Sequence, residues 1–159
     1  MKAITIYQPW ASLIAAGAKI YETRGWATNY RGPIAIHAGK KNPSVVLAAV
    51  DIGIVSAIGR AFGLLEKPIT DIIEYLDSLP LGAVIATAEL VECHCIVQKS
   101  PSTGRIVTDR GIITPMKDEL LFGDWTPYRY AWQLANVQML AEPIPARGQQ
   151  GLWNWRTTG

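Results

Sequence analysis

Lys19, Glu22 and Arg24 stand close together in GAKIYETRGW, residues 17–26. They alternate with Ile20, Tyr21 and Thr23, which suit a strand. Glu22 and Arg24 are two positions apart and share a strand face. Lys19 would fall on the other face unless it sits in the turn after Gly17, where a positive φ frees its direction. The three groups then converge on one mouth. Two cations can hold an anion there, while the carboxylate accepts from a donor or moves a proton. The plainer alternative is a solvated strand edge, whose Glu22–Arg24 pair contributes little.

The elements that must position these groups are legible from pattern. Ala3–Tyr7 reads as a buried strand, and Gln8-Pro9-Trp10 opens a helix that Gly17 closes. Strands are expected over 20–24, 33–38, 83–96 and 129–140. Asn42-Pro43 is an N-cap and first-turn proline, starting a long helix that stops or kinks near Gly59. A second helix is expected from about Pro68 to Leu76. Gln98–Gly111 reads as a loop or hairpin, and PIPARGQQGLWNW as terminal coil. Strands at both ends with helices in the middle give an α+β fold, with a curled, mostly antiparallel sheet or small β-barrel.

The 159 residues form one domain, 1–159, and 49% hydrophobic composition excludes a disordered chain. A net charge of +2 excludes a polybasic wrapper, so any nucleic-acid site is a local patch. Cys93 and Cys95 flank His94, a spacing that matches no zinc pattern. No metal and no cofactor is expected. Two reduced thiols, an N-terminus without a leader pattern, and an apolar stretch (Pro43–Gly59) interrupted by Asp51 and glycines give a cytoplasmic protein with no membrane partner. Oligomeric state leaves no signal in the sequence.

Gly17, Lys19, Glu22 and Arg24 form G-x-K-x-x-E-x-R, which resembles the signature of the activating-signal-cointegrator homology (ASCH) domains. QPWASLI (8–14), RGW (24–26), YRGPIAIHAGK (30–40), YAWQL (130–134) and PIPARGQQGLW (143–153) match in the same order. The resemblance is to a small stand-alone member of bacterial or phage type. It implies a PUA-like β-barrel with helices around it and kinship with folds that hold RNA or a modified base. It also implies a cleft lined by Lys19, Glu22 and Arg24, with Gln8, Trp10 and Trp26 as neighbours. Arg31, His37, Lys40 and Lys41 extend its basic rim.

Each of these has a plainer reading. Trp10, on a helix that opens QPW, reads first as a core residue, and His37 lies in an apolar strand where a satisfied interior histidine is common. Arg31 sits in a turn and can simply be solvated. Trp26 is the better stacking candidate, because aromatics serve that role in single-strand binders. Lys40 and Lys41 stand at a helix start, where the dipole disfavours cations, and that conflict favours a phosphate-facing role.

Two functional classes follow. One is a module that binds RNA, single-stranded nucleic acid, or a nucleoside or nucleotide. Its cations hold phosphate, Trp26 stacks, and Glu22 accepts from an exocyclic amine such as that of cytosine. The other is a small hydrolase. Some ASCH-like proteins remove the acetyl group of N4-acetylcytidine with a threonine nucleophile where this chain has Glu22, and other bacterial relatives are ribonucleases. In an enzyme Glu22 would be the base and Lys19 would polarise a carbonyl, with Thr23 on the opposite strand face. A third class, a module for a peptide or metabolite, draws support only from the low net charge.

Overall fold

A computed structural model describes residues 1–157 of the chain. Strand β1 (Lys2–Ile6) leads into helix α1 (Trp10–Ala15), strand β2 (Tyr21–Arg24) and strand β3 (Gly32–Ala38). Three helices follow: α2 (Pro43–Leu47), α3 (Ile52–Ala61) and α4 (Ile69–Asp77). The long strand β4 (Ala83–Lys99), the hairpin strands β5 (Ile106–Thr108) and β6 (Gly111–Ile113), and a 3₁₀ turn (Asp118–Phe122) come next. Strands β7 (Tyr130–Pro145) and β8 (Leu152–Asn154) close the sequence of elements.

The fold is α+β. The principal sheet runs β2-β7-β4-β3-β1-β8, with the β5–β6 hairpin attached to β4. Every pairing described is antiparallel except β1 with β3. Backbone pairing does not close the sheet into a barrel. It is nevertheless curled, because Arg24 on β2 donates to the Thr5 carbonyl of β1, four places away in the strand order, at 2.8 Å.

Ile4, Ile6, Ile34, Ile36, Leu90 and Trp132 form the main core with Ala11 and Ile14 of α1. A second core joins Leu13 on the far side of α1 to Leu47, Ile58, Leu76 and Phe122. Helices α2 to α4 therefore pack on α1 and the 3₁₀ turn rather than directly on the strands around the cleft.

The helix expected from Pro43 and the C-terminal segment differ from the sequence reading. The expected long helix from Pro43 is two helices. The Asp51 carboxylate accepts from Gly53 N at 2.7 Å and so caps a new helix, competing with continuation of the old one. Helix α3 does end near Gly59, at Ala61, with the glycine still inside its last turn. A Cβ there would lie 2.7 Å from Ile72 Cδ1, so this glycine lets α4 approach closely. Leu152–Asn154 is a strand on β1 rather than coil, and β7 continues to Pro145. Of the two readings of the polar segment after Gln98, loop or hairpin, the structure shows the hairpin, β5–β6.

Candidate functional site

Helix α1 ends as its sequence dictates. Gly17 has φ +80°, and the amides of Ala18 and Lys19 both donate to Leu13 O, at 3.0 and 3.1 Å. That turn sends the Lys19 side chain inward, where the residue is only 1% exposed. Its ammonium donates to the Tyr21 carbonyl and lies 3.4 Å from Glu22 Oε2. Glu22 Oε1 is 2.9 Å from Arg24 Nε, a close ionic contact without an aligned hydrogen bond. One carboxylate is thus held between two cations, and the trio keeps a net positive charge.

The segment after β6 braces β2 from outside. Glu119, in the 3₁₀ turn, accepts from the amides of Ile20 and Tyr21 at 2.5 and 2.7 Å. Burial pushes the Glu119 carboxyl up from its ordinary value, against the pull of those two amides and of Lys19. Asp124 N donates to Thr23 Oγ1 at 2.9 Å. Strand β2 is an edge strand, and these side-chain bonds take the place of a further neighbour.

Between β2 and the end of β1 opens a cleft of about 550 Å³. Glu22, Thr23, Arg24 and Trp26 form one wall, with Thr5 and Tyr7 facing them. Trp26 is 37% exposed and stands edge-on to Trp132, with ring centroids 4.6 Å apart. Trp132 Nε1 also donates to Trp26 O at 3.3 Å, which fixes the exposed indole from behind. Trp10 borders the cleft while its ring packs on Phe122 at 6.3 Å. Arg24 uses Nη2 on Thr5 O and retains donors that no atom of the described residues takes.

The remaining candidates scatter. Lys19 lies beneath the cleft rather than on its wall. Gln8 is fully buried and serves α1: Ser12 N donates to its Oε1 at 3.0 Å, and its Nε2 donates to Ser12 Oγ and Pro80 O at 2.7 and 3.0 Å. Arg31 is a strut, bonded to Thr28 O, Tyr30 O and Glu92 Oε1. His37 and Lys40 border a neighbouring recess, and Lys41 Nζ sits 5.3 Å over the Tyr7 ring. Thr23, expected to face away, borders the cleft with its hydroxyl tied to Asp124 N.

Sequence reasoning passed over Arg129, Gln149 and Gln150, which complete the cleft. Arg129, immediately before β7, pairs with Asp124 at 3.4 Å. The two glutamines fall in PIPARGQQGLW, a motif that carried the family resemblance but suggested no role. In the CHC motif, the His94 ring is satisfied by Gln133 Oε1 at 2.8 Å and Thr108 Oγ1 at 3.2 Å. Burial pushes the Cys93 thiol up. Among the described residues no His/Cys/Asp/Glu group is arranged to hold a metal, and no helix is long and apolar enough to cross a membrane.

A curled, mostly antiparallel sheet with a helical layer and a charged cleft at its meeting edges defines a PUA-like domain. The ASCH domain model matches residues 4–144, and the chain belongs to the ASCH domain family. Over 90 residues, 57% of this chain, it is 31% identical to activating signal cointegrator 1 of Homo sapiens. The Mus musculus protein of the same name matches to the same extent. The matched stretch is 14% of each cointegrator's length.

Proposed function

We propose that this ASCH domain binds RNA or single-stranded nucleic acid, with one nucleotide seated in the cleft beside Arg24 and Trp26. The observation that carries this reading is the pairing of an exposed, rigidly backed indole with a guanidinium that has donors to spare. An aromatic platform beside cations is how single-strand binders hold a base and its backbone without strong sequence preference. Glu22 borders the same cleft and supplies an acceptor for an exocyclic amine, so a base such as cytosine suits it. Lys19 acts indirectly, by holding Glu22. The name of the two mammalian relatives, a cointegrator of activating signals, is compatible with a nucleic-acid setting.

The test is binding of short single-stranded RNA to the wild type, Trp26→Ala and Arg24→Gln. Each substitution should weaken binding by about 1–3 kcal/mol, through a lost stack or a lost charged contact. Unchanged affinity in both variants would overturn the reading.

One observation favours the hydrolase alternative: Glu22 and Thr23 border the same cleft, with the Lys19 ammonium 3.4 Å from the carboxylate. Against it, both oxygens of Glu22 are already engaged by cations, Lys19 at 3.4 Å and Arg24 at 2.9 Å. Assays for turnover of N4-acetylcytidine and for cleavage of single-stranded RNA decide the matter. Wild-type turnover that falls by about 10²-fold or more in Glu22→Gln, with binding retained, would promote the enzyme.

A further inference from the structure

The cleft beside Trp26 is one of two adjoining chambers. The second, of about 800 Å³, shares Thr5, Tyr7, Gln149 and Gln150 with the first. Each is of the size that holds a drug-sized ligand, about 300–1,000 Å³, so the groove has room for two nucleotide units. Their chemistry differs. The first has a carboxylate, a guanidinium and an indole on its wall, groups suited to a base edge and a base face. The second is bordered by Lys40 and Arg147 and, among the described residues, by no carboxylate. Neither cation takes part in any ion pair between described residues.

The second chamber is also constructed with care for space. A Cβ on Gly82, where φ is +64°, would lie 2.9 Å from Lys40 Cε, so the glycine makes room for the lysine stem. A Cβ on Gly39 would fall 2.9 Å from Tyr7 Cδ1, and one on Gly148 would fall 2.8 Å from His37 Nδ1. The floor is therefore close-packed backbone. Behind it, His37 donates from Nε2 to Ala146 O at 2.9 Å, which anchors the loop carrying Arg147. His37 Nδ1 is buried without a partner, so this ring adds no positive charge while neutral.

From this we infer that Lys40 and Arg147 form a phosphate chamber, and that the ligand is a single-stranded oligonucleotide of at least two nucleotides. This rests on the nucleotide reading of the first cleft. Two unpaired cations with two carboxamides supply only donors and neutral polar groups. That set matches a group rich in acceptor oxygens, as a phosphodiester is. The shared wall of Tyr7, Gln149 and Gln150 carries the sugar–phosphate chain from the base cleft to the phosphate.

The experiment compares cytidine, the dinucleoside monophosphate CpC and a hexamer of cytidylate by calorimetry. The proteins are the full-length wild type, the double variant Lys40→Gln/Arg147→Gln, and Trp26→Ala. Both basic residues are exposed, so the double variant should melt like the wild type. CpC should bind wild type about tenfold or more tighter than cytidine, the size expected of one charged contact. The double variant should lose that gain, keep its affinity for cytidine, and show a salt slope for the hexamer shallower by about 0.7. Equal wild-type affinities for cytidine and CpC would overturn the chamber, as would a double variant that weakens both alike. If Trp26→Ala leaves CpC binding intact while the double variant abolishes it, the base cleft fails and the phosphate chamber stands. Absence of binding by all three ligands overturns both.

Discussion

Glu22 balances two cations at once, and the three side chains cannot be altered independently. Lys19 is the more buried partner; Glu22 and the Tyr21 carbonyl face its ammonium directly, and Glu119 acts on it without an ion-pair contact. Glu22→Gln removes its nearest carboxylate and should destabilise the fold by about 3–5 kcal/mol, the range for breaking a buried pair from one side. Lys19→Met should cost less, because Glu22 keeps Arg24. A double-mutant cycle by urea unfolding checks both, and Glu22→Gln/Lys19→Met should recover part of the single loss. His37 gives a second outcome at this scale. Burial, with help from Lys40, holds its pKa below the ordinary 6.5, against the raising effect of the Ala146 carbonyl. The unfolded chain therefore takes up the proton first, and stability falls as pH drops below 6.5 until the folded ring titrates. Melting temperatures of wild type and His37→Gln at ~pH 7.5 and ~pH 5.5 test this: the variant should show a smaller acid-induced drop.

The elements around the cleft are held by side-chain bonds to backbone more than by their own propensity. Helix α1 has 6 residues, too few to be stable alone, and Gln8 secures its first turn. Strand β2 has 4 residues and one paired neighbour, and Glu119 and Thr23 fasten its open edge to the 118–124 segment. Helix α3 begins where the Asp51 carboxylate accepts from Gly53 N. Asp51→Ala should remove about 1 kcal/mol. At this chain length that is a fall of ~2–4 °C in melting temperature. Because α3 packs in the second core and not on the cleft, oligonucleotide affinity should stay unchanged. Calorimetric melting and binding measured on the same preparation check both halves.

At the scale of the molecule, charge is placed rather than accumulated. The formal net charge is +2, and away from the groove Glu92 engages Arg31 and Arg110 while Asp118 engages Arg60. Arg24, Lys40 and Arg147 are gathered at the groove by the curling that brings β2 over the end of β1. Binding of single-stranded RNA should therefore weaken with salt, but only shallowly. Two or three phosphates would give a slope of log K against log salt between about −1.4 and −2.1. A slope near zero, measured by anisotropy across a salt series, would count against a phosphate-held ligand.

The sequence by itself determined the α+β class, the positions of the main strands along the chain, the turn at Gly17 and the family. These rest on local causes: alternation sets a strand, a positive φ asks for glycine, and proline and asparagine mark a helix start. Only the tertiary structure decided which side chains share a wall. Spacing could bring Lys19, Glu22 and Arg24 near one another, yet it could not say that Lys19 lies under the other two. Nor could it bring in Arg129, Gln149 and Gln150, more than 100 residues away in sequence. The sequence marked a helix end near Gly59, but why this position is glycine is decided on another helix, at Ile72. The groove exists because distant strands of one curled sheet meet, and no local stretch contains that information.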